Sequence, residues 1–137
     1  VTKVWTTSIG KLVYNPPRPD IRKSFAHDDW RLVVEVDRGF SLYYNWWVKK
    51  MWGLELQLPV WKTHITILNG KQPVDPEFHK IWRKHENERI TFEYSVEFEQ
   101  HWKFFVLPVR CERFHEIRAE LGLSTWDKHH ITFGRML

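Results

Sequence analysis

The sequence predicts a two-lobed, pseudo-symmetric α+β domain, and three observations carry that prediction. Two stretches repeat the same order of elements, strand, helix, strand. Each begins at a tryptophan, and each closes on a strand that reads His-Ile-Thr followed by an apolar residue. Self-similarity of this kind marks a duplicated unit. The two units run roughly 30–70 and 102–135 inside a single domain, 1–137, a length that suits one core. With 42% apolar and 28% charged residues, the chain has neither the composition of a disordered segment nor the long apolar run of a membrane span.

The elements follow in order. Residues 10–15 read as a short strand. Pro16, Pro17 and Pro19, together with Arg18, Arg22 and Lys23, make 15–29 a basic surface loop, since prolines this dense fit neither a helix nor a central strand. Trp30 to Asp37, rich in valine, is a mostly buried strand. From Phe40 the period changes: Phe40, Tyr43, Tyr44, Trp47, Val48 and Met51 fall on one face of a helix that Gly53 ends. Residues 57–62 connect to a strand at 63–68, stopped by Asn69 and Gly70. Pro76 starts a helix running to about His85. Residues 89–98 alternate apolar and polar more cleanly than any other stretch, so that strand has one wet face. A strand at 102–110, a helix at 112–121 closed by Gly122, and a last strand from His129 to Arg135 complete the chain.

The doubled motif carries the chemistry. A shuffle of this composition would hold roughly 0.03 copies of His-Ile-Thr, so two copies in matching contexts are signal. Residues two apart on a strand share a face, so His64 points with Thr66 and His130 with Thr132, while Ile65 and Ile131 turn into the core. A pseudo-twofold that faces the two strands onto one cleft brings two imidazoles to a substrate from opposite sides. That arrangement suits cleavage of a phosphodiester. One histidine takes a proton from the attacking hydroxyl or water, the other gives one to the leaving oxygen, and the threonines bond to phosphate oxygens. His129 faces away from the pair by strand alternation.

At these residues the sequence resembles the 2H phosphoesterase superfamily, which is named for two His-x-Thr/Ser motifs; the match runs from Trp30 to Arg135. The resemblance implies a bilobal fold of two small antiparallel sheets around a central groove with helices outside. It also implies cleavage without a metal ion or cofactor, with His64 and His130 catalytic and Thr66 and Thr132 binding substrate. Within the superfamily, the Gly-Lys-Leu-Val-Tyr opening, the tryptophan-rich units and the His-Ile-Thr-Phe-Gly-Arg ending are similar to phage proteins of the anti-CBASS type, which degrade the 3′-5′ cyclic di- and trinucleotides of bacterial immune signalling. That similarity implies a cyclic oligonucleotide as the partner, with no membrane and no stable protein partner, and makes Tyr14 the candidate ligand tyrosine. Other members act on RNA 2′,3′-cyclic phosphates or 2′-5′ oligoadenylates, which are the alternative substrates.

Arg135 and Lys71, a few residues beyond the two motifs, are placed to reach a phosphate, or are solvated surface charges. The loop 15–29 is a basic lid over the groove or an inert edge covering. Trp61 and Trp126 precede the two motif histidines and read as packing beneath the groove. His27-Asp28 spells the dipeptide of metal-dependent HD phosphohydrolases, but the further ligands and the helical scaffold of such a site are missing, and the His-x-His-x-His of histidine-triad hydrolases is absent. The non-enzyme alternative is a module that binds cyclic nucleotides or RNA without turnover. A net charge of +4 accommodates an anionic ligand. A lone cysteine, Cys111, with no Cys-x-x-Cys pair, fits a reducing compartment, and residues 1–11 lack the apolar run of a secretory signal. The expected location is the cytoplasm, that of a host bacterium if the chain is phage-encoded.

Overall fold

A computed structural model of the chain describes residues 3–16, 30–69 and 80–136. Among these residues, seven strands and two helices follow one another as β1 (Trp5–Tyr14), β2 (Arg31–Glu35), α1 (Gly39–Trp52), β3 (His64–Asn69), β4 (Arg89–Ser95), β5 (Glu99–His101), β6 (Phe104–Arg110), α2 (Glu112–Glu120) and β7 (His130–Arg135). The two strand–helix–strand units are therefore β2-α1-β3 and β6-α2-β7.

These units do not form separate lobes. The strands run in the order β4-β1-β2-β3-β7-β6, all antiparallel, and β4 pairs again with β6 through Glu93 with Arg110 and Tyr94 with Val109. The sheet closes into a six-stranded barrel, and β5 adds to β6 as a hairpin. The expected bilobal arrangement of two small sheets around a groove is thus corrected to one closed barrel. The cause lies outside the repeat. β1 pairs with β4 along seven positions, from Trp5 with Ser95 to Lys11 with Arg89, and with β2 along four. These two strands bridge the units on one side, while β3 and β7 meet on the other at Ile65 and Ile131. The β1–β2 approach depends on Gly10, where a Cβ would lie 2.4 Å from Val34 Cγ1 and 2.8 Å from the Glu35 carbonyl oxygen.

Most expected elements are present with shifted ends. β1 begins at Trp5, earlier than residue 10, because its partner β4 extends that far. The long strand expected over 89–98 breaks at Ser95, whose hydroxyl oxygen accepts the Glu97 N–H at 3.2 Å and turns the chain into β5. The helix expected from Pro76 to about His85 lies partly outside the described residues; from a 3₁₀ position at Lys80 the described chain continues as turns through 87, with positive φ at Arg83 and Asn87. Gly53 ends α1 as expected, at φ 69, its N–H donating to the Lys49 carbonyl. The packed face of α1 is narrower than its apolar stripe. Tyr44 and Val48 are buried, but Tyr43 and Met51 are each more than half exposed.

The core gathers on one face of the barrel wall, where Leu12, Leu32, Val34, Ile65, Leu107 and Ile131 are wholly buried. Truncating such a side chain to alanine costs about 2–5 kcal/mol. Each helix rests on a strand of the other unit. In α1, Tyr44 packs its ring 5.3 Å from that of Phe133, and Asn45 donates to the Phe133 carbonyl. From α2, Arg118 donates to the Ile67 carbonyl at 2.7 Å. The helices thereby lock the β3–β7 seam from behind, and on its opposite face His64, Thr66, His130 and Thr132 are half-buried. Among the described residues, no helix is long and apolar enough to cross a membrane.

Candidate functional site

The site grows from the seam. β3 and β7 carry the same alternation: His64 and His130 half-buried, Ile65 and Ile131 buried, Thr66 and Thr132 half-buried. Residues paired across antiparallel strands project from the same face. With Ile65 opposite Ile131, the register sets His64 beside Thr132 and Thr66 beside His130. The flanking strands extend both rows, because Glu35 pairs with His64 and Val33 with Thr66 on one side, and Val106 with Thr132 and Pro108 with His130 on the other. One row is therefore Glu35, His64, Thr132, Val106; the next is Val33, Thr66, His130, Pro108. The structure brings together the four residues expected from the motif, each imidazole diagonal to the other and next to a hydroxyl.

The two rings are held alike. The His64 Nδ1–H donates to the Lys62 carbonyl at 2.6 Å and the His130 Nδ1–H to the Lys128 carbonyl at 3.0 Å. A carbonyl only accepts, so the hydrogen sits on Nδ1 and the Nε2 lone pair is left for chemistry. Burial, the largest influence, pushes the His64 pKa down, helped by the charges of Arg31 and His130; the Lys62 carbonyl and Glu35 oppose it. His64 thus favours its neutral form near pH 7.

A cavity of about 390 Å³ opens beside His64 and Thr132, walled by Gln57, Trp61, Phe104 and Arg135. Arg135 is braced there: its backbone forms two hydrogen bonds with that of Gln57, and its guanidinium donates to Gln57 Oε1 at 2.9 Å. Trp61 also borders a second cavity of about 460 Å³ that reaches Glu35 and Arg38. The Arg31 guanidinium lies 3.9 Å from the Trp61 ring centre, a cation–π stack beside His64.

The other expected residues fall elsewhere. Tyr14 is not among the residues lining this cavity. It is 3% exposed, edge-on to Trp82 with ring centres 4.8 Å apart, and burial pushes its pKa up. Lys71 and loop residues 17–29, with His27 and Asp28, lie outside the described residues. Trp126, the sequence counterpart of Trp61, packs on the buried His129 at 4.9 Å instead of bordering the cavity. Residues the motif reading passed over, Glu35, Gln57 and Phe104, share the site. Alternation along β2, with Val34 turned to the core, is the signal that places Glu35 on the face of His64; nothing in the sequence pairs Gln57 with Arg135. Among the described residues, no three His, Cys, Asp or Glu side chains gather where they could hold a metal ion. No known family, curated protein or solved structure matches the chain.

Proposed function

We propose that the protein is a phosphodiesterase of the 2H type that cleaves 3′-5′ linkages of cyclic di- or trinucleotides without a metal ion. The observation that carries this reading is the pair of imidazoles, each tied at Nδ1 to the carbonyl two residues upstream and with no hydrogen bond at Nε2 among the described residues, diagonal across the seam with a threonine beside each. In the cleavage, the ribose 2′-hydroxyl attacks the adjacent phosphorus. His64 Nε2 takes its proton, the P–O5′ bond breaks, and His130, entering the step as an imidazolium, gives its Nε2 proton to the departing 5′-oxygen. The products are a 2′,3′-cyclic phosphate and a 5′-hydroxyl. Thr66 and Thr132 donate to the phosphate oxygens, and Arg135 neutralises their charge. The low pKa of His64 supports its role as base in this step. Each proton transfer is worth about 10²–10⁴ in rate. The same groups would act on an RNA 2′,3′-cyclic phosphate or a 2′-5′ oligoadenylate, which are the alternative substrates. The signal nucleotides lie in the bacterial cytoplasm, and the protein acts there, as a phage counter-defence.

The test is turnover in the presence of excess chelator, with cyclic dinucleotide, cyclic trinucleotide, 2′-5′ oligoadenylate and 2′,3′-cyclic AMP assayed in parallel by chromatography. His64→Ala and His130→Ala are each expected to abolish product while circular dichroism stays unchanged. Loss of turnover on chelation would sink the metal-free mechanism. Tight binding without product at high protein concentration would make the chain a nucleotide-binding module.

A further inference from the structure

The β5–β6 hairpin turns through two residues, Trp102 and Lys103, between the partners His101 and Phe104. Trp102 has φ 57, and it alone of the two has a positive φ. A turn of this kind strongly favours glycine at its first position, because any Cβ is strained there. Tryptophan is the more anomalous because burial does not compensate the strain: at 75% exposure it is the most exposed large apolar side chain among the described residues. An outlier of this sort points to function.

The turn is nonetheless fixed. Gln100 Nε2 donates to the Trp102 carbonyl at 3.1 Å, and the Met136 N–H donates to the Lys103 carbonyl at 2.8 Å. The Trp102 ring stands 6.1 Å from that of Phe104, with the Lys103 ammonium 4.9 Å from its centre. Phe104 in turn walls the His64 cavity and is the strand partner of Arg135. An aromatic track therefore leads from the cavity to the hairpin tip, with Lys103 against the Trp102 ring and Arg135 paired with Phe104 across the strands. Flat π faces flanked by cations hold nucleotides, the ring stacking on a base and the cation meeting its phosphate.

We propose that Trp102 is a nucleobase-stacking platform that extends the His64 cavity by one nucleotide, so that the preferred substrate holds at least two nucleotides. The choice of substrate rests on the phosphodiesterase reading; the platform itself does not. The experiment compares wild type, Trp102→Gly and Trp102→Phe on a cyclic trinucleotide and on a nucleoside 2′,3′-cyclic phosphate. Trp102→Gly is expected to raise KM for the trinucleotide roughly tenfold to hundredfold with kcat little changed. It should leave the mononucleotide unaffected, and Trp102→Phe should restore most of the loss. Because glycine relieves the turn, the unfolding midpoint of Trp102→Gly should equal or exceed that of wild type. An equal loss on both substrates, or none on the trinucleotide, overturns the platform. If no substrate is turned over, calorimetric titration with the cyclic trinucleotide decides. Weaker binding by Trp102→Gly upholds the platform while the phosphodiesterase reading falls; equal affinity, or no binding by either protein, overturns the platform.

Discussion

His129 and His130 are neighbours in sequence with opposite fates, and the buried one makes the fold acid-sensitive in a measurable way. His129 is 3% exposed, enclosed by Phe114 at 5.1 Å, Trp126 at 4.9 Å and His115 at 5.9 Å, and its Nε2 is buried with no hydrogen-bond partner among the described residues. Burial, joined by the charges of His115, Arg118 and His130 and only weakly opposed by Asp127, pushes its pKa down to about 4. In the unfolded chain the value is about 6.5, so between these limits the unfolded state binds a proton that the folded state refuses. The contribution is fully present above pH 6.5 and is lost as pH falls toward 4. At 1.36 kcal/mol per unit, the loss reaches roughly 2 kcal/mol by pH 5 and about 3 kcal/mol by pH 4. The perturbation is His129→Leu, which fills the same apolar niche without titrating. Urea unfolding of both proteins at pH 7.5, 6, 5 and 4 gives the difference in stability, in which the other titrating groups cancel. Wild type should lose ground to the variant by the stated amounts. A difference that does not change with pH would refute the placement of a neutral imidazole behind the seam.

Two further substitutions probe how the site is braced. Arg118→Met removes the donors to the Ile67 carbonyl at 2.7 Å and the Ser124 carbonyl at 2.8 Å, and so unties α2 from β3. A cost of about 1–3 kcal/mol is expected, and unchanged urea unfolding would show that this cross-unit tie contributes nothing. Gly134→Ala puts a Cβ 2.9 Å from both Leu56 Cβ and Cδ1 and 3.0 Å from Asn45 Oδ1. Thermal unfolding should report about 1–3 kcal/mol lost to overpacking, and a midpoint equal to wild type would mean the connector 54–57 moves aside without strain.

The alternation along each motif strand was legible from the sequence because it depends only on local rules: His64 shares a face with Thr66, and His130 with Thr132, while His129 turns away. That β3 and β7 are neighbours in one sheet, and not walls of a cleft between two lobes, was not legible. Closure of the barrel was not legible, because it depends on β1 and β4, which lie outside the repeat and whose partners no local pattern names. The same limit governs the tryptophans. Trp30 and Trp102 head equivalent units, yet Trp30 packs edge-on to Trp82 at 4.9 Å while Trp102 stands at a hairpin tip. Trp61 walls a cavity and Trp126 packs on His129. Repetition in sequence fixes order and alternation, whereas environment is set by what each strand meets across the closed sheet. Tyr14 follows the same logic: its strand position turns it to the core, where Trp82 covers it.

That difference in environment bears on the chemistry. Were the two halves true copies, the histidines would be interchangeable, and nothing would decide which begins as base. The rows break the equivalence. His64 has Glu35 as its neighbour on β2, where His130 has Pro108 on β6, so across the flanking strands a carboxylate stands beside His64 and a proline beside His130. The cavity opens at the His64–Thr132 end, and the Arg31–Trp61 stack stands on that side as well. In the phosphodiester cleavage we propose, the asymmetry of the walls, more than the symmetry of the motif, assigns the proton that leaves and the proton that arrives.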